Sequence, residues 1–162
     1  MRHDQEALLQ FVKDTLENGS EEDQQILYLA RQAIEYMQER KTAYISGFLG
    51  LQGEYLEDGT YRFDVPITPF MMNRLGIVHG GMTATLADSV MGSVASRTTG
   101  YKVVTTEMNV HYLSPGKGER LIATASVLRR GRTRCVCECR IHNEKGRLIL
   151  AGTGAFQLIE PR

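Results

Sequence analysis

Asn73-Arg74-Leu75-Gly76-Ile77-Val78-His79-Gly80-Gly81 runs directly into Met82-Thr83-Ala84-Thr85-Leu86-Ala87-Asp88-Ser89-Val90-Met91. From Met82 to Ser96 the only formal charge is Asp88. Leu86, Val90 and Val94 recur at i, i+4 and i+8, and Ala87, Met91 and Ala95 form the adjoining row. So wide an apolar stripe predicts a deeply buried helix. Gly81, Ala84, Thr85, Asp88 and Gly92 fall on another face, and most are small enough to let a second backbone come close. A carboxylate on such a helix is costly unless something pairs with it or uses it.

The His-Gly-Gly stands where that helix begins. N–H groups at a helix start have no intrahelical partner, and the macrodipole makes that end positive. Glycine lets a ligand atom approach them. Gly80 and Gly81 are therefore candidates to donate to a carbonyl oxygen that becomes an oxyanion. The alternative is a tight turn followed by a hydrogen-bonded core carboxylate.

The pattern Asn-x-x-Gly-x-x-His-Gly-Gly-x-x-x-x-Leu-x-Asp is met at Asn73, Gly76, His79, Gly80, Gly81, Leu86 and Asp88. It resembles the signature of the hotdog-fold acyl-CoA thioesterases of the PaaI-like type. The resemblance continues through Thr105-Thr106-Glu107-Met108-Asn109-Val110-His111-Tyr112-Leu113-Ser114-Pro115 and covers roughly Ile45 to the C-terminus. As an extended pattern it is specific. It implies hydrolysis of a thioester to free acid and CoA. That reaction needs a base or nucleophile, a positioned water and donors for the carbonyl oxygen. Asp88 is the expected base or nucleophile, and Gly80 N–H the oxyanion donor, with Gly81 a second choice. Asn73 can donate its amide to the same carbonyl, or it only terminates a turn. His79 holds the thioester or protonates the leaving thiolate, unless its role is structural. Resemblance places the Thr105 hydroxyl beside Asp88, where it helps orient the water.

Spacing constrains this assignment. Eight helical residues at ~1.5 Å each put Gly80 and Asp88 ~12 Å apart along the axis, too far to flank one carbonyl carbon. Both serve one site only if they come from different chains. Antiparallel helices packed through the small-residue face achieve that by C2 symmetry. The resembled family also builds its sites between protomers, so a homodimer or dimer of dimers is expected. Arg129-Arg130-Gly131-Arg132 is the one dense basic cluster of the main body. Resemblance implies that this turn and the Ser114-Pro115 turn approach the CoA nucleotide, whose phosphates suit arginine. The alternative is a solvated hairpin tip.

The order of elements supports an α+β fold. Asp4 to Glu17 and Ser20 to Lys41 read as two amphipathic helices, the second opened by Ser20 with Asp23 in a capping-box position. They are expected to pack on the main body or on a partner. Ile45 to Leu51 and Thr60 to Ile67 read as strands, with Glu57-Asp58-Gly59 as a turn. Four long strands follow the buried helix: Lys102 to Leu113, Glu119 to Arg130, Thr133 to Asn143 and Arg147 to Ile159. Short turns between them imply antiparallel pairing. One curved antiparallel sheet wrapped around the central helix covers it, in agreement with the hotdog fold that the resemblance implies. The expected division is a helical extension over 1–44 and a thioesterase domain over 45–162.

Composition removes other classes. The formal net charge of the 162 residues is zero, which gives no reason to expect nucleic acid. Nine acids against five bases up to Tyr44 leave the rest mildly basic, which suits an anionic ligand. Met1-Arg2-His3-Asp4-Gln5-Glu6 lacks the apolar core of a leader, and no stretch reads as a membrane span, so a cytoplasmic protein is expected. Cys135, Cys137 and Cys139 alternate along one strand face, which suits neither a disulfide nor a metal cage. They are expected to be reduced apolar residues, and no metal or other cofactor is expected. A hydratase is the other enzyme class on this fold, but its helix-start sequence is absent. A non-catalytic acyl-CoA sensor or scaffold is the remaining alternative.

Overall fold

Asp4 caps helix α1 (Gln5–Asn18), its carboxylate accepting from Glu6 N–H and Ala7 N–H at 3.1 and 3.2 Å. The structure is a computed structural model and describes residues 4–161. Helix α2 (Glu21–Arg40) starts at Ser20, whose hydroxyl oxygen accepts from Asp23 N–H at 3.1 Å. Gly19, extended at φ −73°, ends the first helix by donating its N–H to Thr15 O at 2.9 Å, and Ser20 begins the next as a residue type suited to the N-cap.

The strand expected over Ile45 to Leu51 is not formed. Tyr44–Phe48 is instead a short helix, α3. Short apolar runs are ambiguous by periodicity, and here a tertiary contact decides. A Cβ on Gly47 would lie 2.5 Å from Ala33 Cα, so the glycine is needed for α3 to lie against α2. Gln32 Nε2 also donates to Gly47 O at 2.6 Å. These helices form one compact unit, which ends at Leu51.

A second unit begins at Gln52. Strands β1 (Gly53–Tyr55) and β2 (Tyr61–Pro66) form a hairpin whose turn contains Gly59 at φ +82°. A single 3-10 turn, Pro69–Met71, leads to the central helix α4 (Gly80–Thr99). Then come β3 (Tyr101–Tyr112), β4 (Arg120–Arg130), β5 (Arg134–Asn143) and β6 (Leu148–Pro161), close to the expected boundaries. The six strands make one antiparallel sheet in the order β1-β2-β4-β5-β6-β3. Register shifts interrupt β3 beside Thr105, β4 beside Val127 and β5 beside Ile141. Such bulges add local twist and help a sheet to curl. A curved sheet wrapped on one helix is the hotdog fold.

Leu86, Ala87, Val90, Met91 and Ala95 of α4 are fully buried. Against them lie inward residues of the sheet, among them Leu121, Ala123, Cys137, Ile141, Leu150 and Phe156. Alternation along β4 and β5 sends every second side chain inward, so the three cysteines share the core face. Burial pushes the Cys139 thiol up to about 11 and raises those of Cys135 and Cys137 as well. All three are free, as expected for apolar strand residues. The small-residue face of α4 stays open: Asp88 and Gly92 are half-buried and Gly81 is exposed. Among the described residues no helix is long and apolar enough to cross a membrane.

Candidate functional site

The loop before α4 is built by Asn73. Its Oδ1 accepts from Leu75 N–H at 2.9 Å and Ile77 N–H at 3.4 Å, while Gly76 turns the chain at φ +67°. With Oδ1 committed to the turn, the Nδ2 amide is the free end, and among the described residues it has no partner. The two readings of Asn73 are thus compatible, one for each end of its amide.

His79 is the N-cap of α4, and its Nδ1 accepts from Gly81 N–H at 2.9 Å. In the neutral ring this bond leaves Nε2 as the donor. It also commits Gly81 N–H. Gly80 N–H has no acceptor among the described residues. It therefore points out of the positive end of α4 as the one free donor of the pair. The Tyr112 ring lies beside it, 3.4 Å from where a Cβ on Gly80 would stand.

A cavity of about 350 Å³ opens at this end of the helix, lined by Asn73, Ile77, Gly80, Tyr112, Ser114 and Pro115. Its far wall is the loop after β3, held by Val78 N–H donating to Gly116 O at 2.9 Å. Gly116 has no room for a side chain, since a Cβ would come 2.9 Å from that of Val78.

Asp88 is not part of this cavity. It lies two turns further along α4, where Thr105 of β3 donates its hydroxyl to Asp88 Oδ1 at 2.7 Å. Oδ2 has no partner among the described residues. The chain thus brings Asn73, Gly80, Ser114 and Pro115 together, and separately Asp88 with Thr105. It does not bring the two groups together.

The basic turn lies elsewhere again. Arg130 donates from Nη1 to Thr98 O at 3.4 Å and from Nη2 to Thr99 O at 3.3 Å. These are carbonyls of the last turn of α4, where a cation complements the helix dipole. The turn from Arg129 to Arg132 is therefore at the far end of α4, ~27 Å along the axis from Gly80. Gly131 closes the hairpin by donating to Arg134 O at 2.7 Å.

A second cavity of about 350 Å³ adjoins the first through Pro115, with Lys117, Asn143, Lys145 and Arg147 on its walls. Sequence reading took Lys117 and Lys145 only as turn residues and Arg147 as the start of a strand. Lys117 and Arg147 are far apart in the chain, and the pairing of Leu121 with Asn143, whose amide bonds to Lys117 O and Arg147 N–H, brings them together.

Comparison with known proteins gives the family and the fold. The Thioesterase superfamily model matches residues 75–150, from Leu75 through Leu150. The 1,4-dihydroxy-2-naphthoyl-CoA hydrolase of Escherichia coli is 33% identical over 109 residues, covering 63% of this chain and 76% of that protein. The chain belongs to the thioesterase superfamily, on the hotdog fold. A protein of Bacillus halodurans, solved with CoA, matches this thioesterase-superfamily chain with a TM-score of 0.81 and 33% identity. That match covers 91% of this chain and 99% of the other. Acyl-coenzyme A thioesterase 13 of mouse is 40% identical over 83 residues, which span 49% of this chain and 59% of that protein. Similarity to that relative therefore concerns little more than half of its length.

Proposed function

We propose that the protein hydrolyses acyl-CoA thioesters to free acid and CoA, at sites completed by two protomers. The observation that carries this reading is the Asp88–Thr105 pair. One carboxylate oxygen is held by the hydroxyl at 2.7 Å, and the other is left to a water or an acyl carbon. Relatives named as acyl-CoA thioesterases and a naphthoyl-CoA hydrolase supply the substrate class.

In the proposed site, the thioester carbonyl lies at the start of α4. Gly80 N–H and Asn73 Nδ2–H donate to its oxygen. Negative charge that develops there as the tetrahedral intermediate forms is met by fixed donors and by the helix dipole. Asp88 of the other protomer approaches the carbonyl carbon. As a base it takes a proton from a water oriented by Thr105. As a nucleophile it forms an anhydride that water then opens. His79 Nε2–H is placed to donate to the departing sulfur, while its Nδ1 is tied to Gly81. Gly81 itself serves the cap, and its N–H enters the site only if that bond opens. Ser114 and Pro115 line the approach used by the pantetheine arm. Arg129 and Arg132 stand at the opposite end of α4. Whatever nucleotide they meet is bound to the site formed with the neighbouring chain's helix start.

A panel of acyl-CoA esters assayed with a thiol-detecting reagent tests the reading. Release of free CoA thiol at rates that depend on acyl chain is the expected result. Binding without thiol release would favour a sensor and overturn the enzymatic reading.

A further inference from the structure

We infer that Thr83 is a positioning residue: its buried hydroxyl clamps the first peptides of α4 and so keeps Gly80 N–H aimed into the cavity at the helix start. Only the use made of that N–H rests on the thioesterase reading.

The start of α4 needs a clamp. Gly80 and Gly81 open the helix, and glycine gives up more backbone freedom on folding than any other residue. The first N–H groups of a helix also lack partners within it. Such an N–H keeps one direction only if its peptide is held from elsewhere. His79 holds one side, since its Nδ1 accepts from Gly81 N–H at 2.9 Å. Thr83 holds the other, its Oγ1 donating to Gly80 O at 2.9 Å. Gly80 O and Gly81 N–H belong to the same peptide, so that plane is gripped at both ends.

Thr83 holds the preceding peptide too. Its backbone N–H donates to His79 O at 3.2 Å, and Met82 N–H donates to the same oxygen at 2.9 Å. The other end of this peptide is Gly80 N–H, which has no acceptor among the described residues. Donors on a carbonyl polarise the peptide and strengthen its N–H as a donor. One residue thus acts on both peptides that flank Gly80.

Placement separates Thr83 from an ordinary helical threonine. Thr15, Thr85 and Thr99 each bond back four residues, to Phe11 O, Gly81 O and Ala95 O. Thr83 bonds back three, and so reaches the first residue of its helix. The oxygen four residues back, His79 O, is already taken by its own N–H. Thr83 is only 2% exposed and lies in the wall of the Gly80 cavity. A methyl in place of so buried a hydroxyl leaves no room for water to take over the bond.

The test compares Thr83→Val, which is nearly isosteric but lacks the hydroxyl, with Thr83→Ser, which keeps it. Hydrogen exchange at Gly81 N–H, followed by NMR on the whole chain, should speed up about fivefold or more in Thr83→Val and stay near the parent in Thr83→Ser. Removing an oxyanion donor outright lowers kcat by ~10²–10³, and loosening one lowers it less. In steady-state assays with octanoyl-CoA, kcat of Thr83→Val should therefore fall about tenfold while KM stays within about twofold of the parent, and Thr83→Ser should recover most of the loss. A threonine that only packs the helix would lower Tm without this split between kcat and KM. Exchange at Gly81 N–H in Thr83→Val equal to the parent's would overturn the inference. So would parental kcat in Thr83→Val, or a loss that Thr83→Ser does not repair. A parent that releases no thiol would defeat the proposed function, and the exchange rates would still decide whether Thr83 clamps the helix start. Turnover by the parent that Thr83→Val leaves unchanged defeats the clamp and leaves the proposed function standing.

Discussion

In the proposed reaction the chemistry turns on Asp88, Thr105 and His79. Asp88→Ala should keep the fold and lower kcat by ~10²–10⁴, the range a general base supplies. Asp88→Asn separates charge from packing, because the amide is nearly isosteric. Steady-state rates within threefold of the parent for either variant would remove Asp88 from the reaction. His79 has two separable roles, one through each ring nitrogen. His79→Asn can still cap Gly81 N–H, but it lacks the reach of Nε2–H. It should hold Tm near the parent and lose turnover, whereas His79→Ala should also lose ~1 kcal/mol of stability with the cap. Equal activity of His79→Asn and the parent would reduce His79 to a cap. Asp88 was legible in the sequence as a lone charge on an apolar helix. The partnership with Thr105 was legible only through family resemblance, because nothing local ties residues 17 apart that meet on different elements. The commitment of Gly81 N–H to its neighbour's imidazole was not legible at all, since it depends on one rotamer. That the cysteines share one buried strand face was legible from alternation alone. Their burial and raised thiol values predict that a maleimide leaves the native protein unmodified at neutral pH and labels it after denaturation. Labelling before unfolding would contradict the core assignment.

Among the elements, α4 and the four long strands were legible because their periodicities are unambiguous over many residues. Tyr44–Phe48 was not, because a short apolar run fits helix or strand, and the close approach of Gly47 to Ala33 decides between them. The Arg129–Arg132 turn shows a different limit. Sequence located the hairpin but not which end of α4 it would meet. Arg130 is engaged with the last carbonyls of that helix. Arg130→Ala should therefore cost ~0.5–1.5 kcal/mol of stability, as a net hydrogen-bond loss at a helix end, read as a lower Tm. Arg129→Ala, without that contact, should leave Tm within experimental scatter. A Tm for Arg130→Ala equal to the parent's would make the two carbonyl contacts energetically idle.

At the scale of the whole molecule, the proposed reaction needs two groups of residues that one chain keeps apart. Asn73 and Gly80 sit at the mouth of one cavity, and Asp88 lies two turns along the same helix outside it. A rigid helix fixes that separation at ~12 Å, whatever the side chains do. The half-open small-residue face of α4, with Asp88 and Gly92 on it, is where a second α4 can lie close enough to bring the halves together. Sequence spacing already contained this separation, since helix rise is independent of tertiary detail. The most direct measurement mixes Asp88→Ala with Asn73→Ala, each inactive alone, under conditions in which mass-tagged chains are seen to exchange. In a mixed dimer one shared site carries both lesions and the other carries neither. Random pairing makes half the dimers mixed, so roughly a quarter of parental activity should return. No recovery despite demonstrated exchange would contradict the shared site, and with it the placing of Gly80 and Asp88 on one carbonyl.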